Sequence, residues 1–70
     1  MSLLVKPERV IKALERNGFH FVNQRGSHRK YKNNDGKIVI VPMHYELAKG
    51  TLSSILEQSG LSIDDLKFKS

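Results

Sequence analysis

The residues in this sequence best suited to chemistry are a histidine set among cations beside a glycine turn. Gly26-Ser27-His28-Arg29-Lys30-Tyr31 runs from a turn into a basic strand. The thirteen residues from Arg25 to Lys37 hold five Lys or Arg (Arg25, Arg29, Lys30, Lys32, Lys37) against one acid, Asp35. An imidazole titrates near pH ~6.5, so a partly exposed His28 can give or take a proton near neutrality while its cationic neighbours hold an anion. A nucleic-acid phosphate fits that field. RNA can be cut without a metal when a base draws the 2′-OH proton, cations steady the charge at phosphorus, and an acid protonates the leaving oxygen. His28 is the natural base or acid. Arg25, Arg29, Lys30, Lys32 and Lys37 could neutralise phosphates, with Arg offering forked donors and Lys a point charge. Gly26 and Ser27 could add backbone N–H groups or a hydroxyl. On spacing alone, a histidine beside a glycine turn is more often a surface residue than a catalyst.

The other candidates are weaker. His44 follows Pro42 and reads equally as a second catalytic group, an RNA contact or a hydrogen-bonded loop residue. His20, between Phe19 and Phe21, falls by alternation on the sheet face opposite them, where solvent exposure accounts for it. No two of the three histidines have helical i, i+4 spacing, and Asp35 is better used in a turn, so neither a metal nor any other cofactor is expected. Ser27 lacks an Asp-His pair spaced to make it a nucleophile. Tyr31 could stack on a base, but the register places it inward, which favours core packing.

The elements that must position these residues follow from spacing. Pro7 to Asn17 reads as an amphipathic helix, with Val10, Ile11, Ala13 and Leu14 on one face, Pro7 at its first position, Gly18 just beyond its end and Lys6 as a poor N-cap. Phe19, Phe21 and Val22 lie on a strand that ends at Arg25-Gly26; a second runs from His28 to Asn33, and a third from Lys37 to Val41, stopped by Pro42. A three-residue loop Asn34-Asp35-Gly36, with Gly36 left-handed, sets Asn33 opposite Lys37. That register turns Arg29, Tyr31, Val39 and Val41 to one face and His28, Lys30, Lys32, Ile38 and Ile40 to the other. Tyr31, Val39 and Val41 are the expected core. Met43 to Lys49 is a loop, Gly50-Thr51 opens a second helix with an apolar stripe of Leu52, Ile55 and Leu56, and Gly60 ends it. Ser62 with Asp65 signals a capped last turn in which Ile63, Leu66 and Phe68 cover the core edge. The expected architecture is α+β, ordered α-β-β-β-α, a two-layer sandwich with both helices on one face of a three-stranded antiparallel sheet.

Composition bounds the rest. Seventy residues suit one domain, residues 1–70, and a chain of this size buries only about 60% of its unfolded surface, so any chemistry is done near the surface. With no cysteine, neither a disulfide framework nor a thiolate zinc site can form. The longest apolar run, Ile38 to Met43, is far short of the ~20 residues of a membrane span, and the N-terminus lacks a signal-peptide layout, so a cytoplasmic protein is expected. The formal charge of +5 and pI near 9.8 favour polyanionic partners.

Taken together, Gly26-Ser27-His28 with Tyr31, Asp35-Gly36, Val41-Pro42 with His44, and Lys49-Gly50-Thr51-Leu52 followed by Gly60-Leu61 resemble the HicA-type (YcfA-like) toxins, over about Lys6 to Leu66. The resemblance implies a double-stranded RNA-binding-domain-like fold and ribosome-independent cleavage of mRNA as the toxin of a type II toxin-antitoxin system, neutralised by a HicB-like antitoxin. It also implies that His28 is the catalytic residue. Tyr45-Glu46 departs from the small or glycine-containing loops common in the family, which bears on loop shape. An antitoxin is expected to bury His28 and set acidic residues against Arg25 to Lys37. The alternatives are a non-catalytic RNA-binding module of the same fold and a protein-interaction domain that docks a partner through Ile38 and Ile40.

Overall fold

The structure, a computed structural model, describes residues 5–66. Its elements are helix α1 (Pro7–Arg16), strands β1 (His20–Arg25), β2 (His28–Lys32) and β3 (Ile38–Pro42), helix α2 (Lys49–Ser59) and a closing 3-10 turn, Ile63–Leu66. The sheet is antiparallel with order β1-β2-β3. Both helices lie on one face of it, the closing turn packs on α1, and the expected α+β order is met.

Local chemistry accounts for the boundaries. α1 starts at Pro7 without a side-chain cap from Lys6; at its end Asn17 Nδ2 donates to the Ala13 carbonyl at 2.8 Å. The β2–β3 loop is fastened by Asn33, whose Oδ1 accepts from the backbone N–H groups of Asp35 (3.0 Å) and Lys37 (2.8 Å). Gly36, at φ +85°, supplies the left-handed step. The pairing Lys32↔Ile38 and Tyr31↔Val39 is the one the three-residue loop requires. α2 begins one residue ahead of Gly50, at Lys49, behind an uncapped Ala48. In the last turn Asp65 Oδ2 accepts from the Ser62 N–H at 2.8 Å, the reciprocal bond expected of that pair.

The core lies between the helices and the β2–β3 half of the sheet. Val10, Ile11, Ala13 and Leu14 of α1, Phe19, Tyr31, Val39, Val41, Leu47, Leu52, Ile55 and Leu66 are all buried. Phe68, expected at its edge, lies outside the described residues. Tyr31 is 2% exposed and meets Phe21 edge-to-face at 5.9 Å. Phe21 shares Tyr31's face but is half exposed.

α2 ends on Gly60 at φ +77°, whose N–H donates to the Leu56 carbonyl at 2.9 Å. A Cβ added there would fall 2.8 Å from Lys37 Nζ, the far end of a flexible side chain that can swing aside. The left-handed backbone therefore dominates the cost of Gly60→Ala, expected at about 1–2 kcal/mol. Urea denaturation should show a lower midpoint with an unchanged slope.

Candidate functional site

Two features of β1 and β2 aim His28. A β-bulge shifts the register between Phe21 and Asn23, so that Gln24 pairs with Arg29 and Arg25 with His28. Without the extra residue Gln24 would oppose His28 and Arg25 would fall in the turn. The bulge therefore brings a guanidinium into the row of His28. The hairpin is then closed by Gly26 and Ser27 alone. Gly26 at φ +56°, where among the described residues only glycines have positive φ, takes the first central position of a two-residue turn. Gln24 braces it: its Nε2 donates to the Gly26 carbonyl at 2.8 Å while its Oε1 accepts from Arg29 Nε at 2.9 Å.

The sheet's open face carries three cross-strand rows: Arg25, His28 and Pro42; Asn23, Lys30 and Ile40; His20, Lys32 and Ile38. Its exposed isoleucines, Ile38 and Ile40, are set among cations. The basic residues named from sequence divide here. Arg25, Lys30 and Lys32 share the face of His28. Arg29 lies on the opposite face, half-buried, bonded to Gln24 with its guanidinium carbon 6.0 Å from the Phe21 ring centroid. Lys37 lies at the far end of the β2–β3 pair, its ammonium close to Gly60 at the C-terminus of α2, where a cation complements the helix dipole.

Beyond Pro42 the ladder continues for one residue. The Met43 N–H donates to the Ser27 carbonyl, and His44 follows beside the turn. The His28 and His44 rings lie 6.4 Å apart between centroids, tilted by 67°. The two exposed rings are thereby close enough to face one bound group, with Arg25 across from His28. His20 is two rows away, about 14 Å along the strand. Among the described residues no group of three or more His, Cys, Asp or Glu is placed to hold a metal.

The loop that carries His44 is tied at its other end as well. The Leu47 N–H donates to the Val5 carbonyl at 2.7 Å in an isolated antiparallel bridge, and the Leu47 side chain is 1% exposed. Between the two ties, Met43, His44 and Tyr45 face Lys6 and Glu8 across an open cleft. Lys6 and Glu8 carried no functional signal in the sequence, because only folding of the N-terminal segment onto the loop brings them there.

No curated protein sequence matches the chain. A family model described as the HicA toxin of bacterial toxin-antitoxin systems matches residues 7–61, which span every element from α1 through α2. The chain belongs to the HicA toxin family.

Proposed function

We propose that the protein is a metal-independent endoribonuclease that cleaves mRNA, the toxin of a type II pair held in check by a HicB-like antitoxin in the cytoplasm. The observation that carries this reading is the pairing of His28 with His44 beside Arg25 on a basic open face. One imidazole takes the proton from the 2′-OH, whose oxygen attacks phosphorus. The P–O5′ bond breaks, and the other imidazole gives its proton to the departing O5′. The fragments end in a 2′,3′-cyclic phosphate and a 5′-OH. Arg25, Lys30 and Lys32 offset the charge on the phosphate oxygens and hold the neighbouring phosphates, while Gly26 and Ser27 border the reacting group. Membership of a toxin family supports an antitoxin partner. The isoleucines among the lysines offer that partner an apolar contact ringed by charge, suited to an acidic protein.

The test is incubation of purified protein with mixed-sequence single-stranded RNA in excess EDTA, with the product ends identified. Cleavage to cyclic phosphates is expected. Cleavage that stops in EDTA, or that yields 5′-phosphates, would assign the attack to a metal-activated water. Tight binding without cleavage would leave an RNA-binding module.

A further inference from the structure

We propose that the cleft beside His44 is a nucleobase subsite, in which Tyr45 stacks the unpaired base next to the phosphodiester that His28 and His44 act on. The inference rests on the reading of that pair as an RNA-cleaving site and adds how the strand is held there. The cleft has a volume of ≈ 500 Å³ and is lined by Lys6, Glu8, Met43, His44 and Tyr45. Pockets for small ligands span about 300–1,000 Å³. His44 belongs both to this cleft and to the histidine pair, so whatever fills the cleft lies against the reacting centre.

Tyr45 is 81% exposed, the most exposed large hydrophobic side chain among the described residues. Lys6 Nζ lies 5.5 Å from its ring centroid, a cation–π contact that orients the phenol from one side and leaves the rest of the ring to solvent. An aromatic platform next to a cation is what a single strand uses, since every base has a π-face and every nucleotide a phosphate. The ties at Met43 and Leu47 hold this wall before the ligand arrives, so little of the binding energy goes into ordering the loop. Glu8 fixes the chemistry of the preferred base. Its carboxylate has no ion pair or hydrogen bond among the described residues and, ionised, only accepts hydrogen bonds. It therefore favours a base edge rich in N–H donors, guanine with its ring N–H and amino group side by side ahead of uracil with a single ring N–H.

The experiment measures two things on the full chain: binding of a single-stranded oligonucleotide blocked against cleavage by 2′-O-methyl groups, and cleavage of the matching RNA. Tyr45→Ala should weaken binding and raise KM about tenfold (about 1.4 kcal/mol), with Tyr45→Trp restoring both. Glu8→Gln should flatten the base preference beside the cut. Unchanged affinity, KM and cut pattern in Tyr45→Ala, while wild type cuts and His28→Ala does not, would remove the subsite and leave the nuclease reading in place. A tenfold loss of affinity in Tyr45→Ala from a wild type that cuts nothing would keep the subsite and remove the catalytic reading. If Tyr45→Ala leaves RNA binding intact and weakens only the antitoxin complex, the ring belongs to a protein interface and the proposal fails.

Discussion

Replacing His28 by Ala should lower single-turnover cleavage of RNA by about 10²–10⁴-fold, the contribution of one positioned acid–base group. On the proposed reading affinity for RNA should stay close to wild type, because the substitution leaves untouched the cations of the same and neighbouring rows, Arg25, Lys30 and Lys32. The salt dependence of binding should likewise be unchanged, since the number of phosphates neutralised is the same. This separation distinguishes catalysis from binding. A parallel fall in affinity and rate would make His28 a contact rather than a proton carrier. Its neighbour supplies the companion measurement. If His44 carries the second proton, His44→Ala should lose one limb of the pH–rate profile that His28→Gln, retaining a polar side chain without a proton to exchange, loses on the other side. A pH profile with both limbs intact in His44→Ala would return His44 to a loop role. Wild type and variants prepared side by side exclude contaminating ribonuclease as the source of cutting.

Tyr31→Ala should cost about 3–5 kcal/mol, the range for emptying a buried aromatic site. Tyr31 is 2% exposed at the centre of the sheet's inner face, opposite Val39 and edge-to-face with Phe21. Domains hold together with about 0.05–0.15 kcal/mol per residue, so a loss of this size approaches the whole stability of a 70-residue chain. The melting temperature should fall by more than about 10 °C, at about 4–8 °C per kcal/mol for a domain of this length. Tyr31→Phe keeps the ring and its contacts and should cost no more than one ordinary hydrogen bond, about 1 kcal/mol. A Tyr31→Ala protein that melts like wild type and binds RNA poorly would make the ring a base platform instead of a core residue.

The elements and core were legible in the sequence because local rules determine them. Asn33 to Lys37 carries its own turn chemistry, and once that loop is three residues long the period of two assigns every side chain of β2 and β3 to a face. α1 needed only its apolar spacing and Pro7. The site was legible in part, for a corresponding reason. His28 announced itself through its glycine turn and cations. The bulge after Phe21 left no glycine or proline to mark it, so the placement of Arg25 opposite His28 could not be read. His44 reaches His28 because pairing continues past a proline that should end the strand, through a main-chain bond that no side chain encodes. Lys6 and Glu8 depend on a bridge between Val5 and Leu47, forty-two positions apart, a contact that only the closed core creates. Arg29 is the converse case. Its type suggests phosphate binding, but its parity on β2 sends it to the other face, where it supports Gln24 and the turn.

The loop from Met43 to Leu47 is held at both ends by main-chain hydrogen bonds, to Ser27 and to Val5. Such anchors are indifferent to the side chains they enclose. Positions 45 and 46 can therefore be varied, by natural drift or in a laboratory library, without loosening the scaffold on which His28 stands. On the proposed reading, the contact a strand makes at position 45 can then change over time while the sheet face that holds His28 stays as it is.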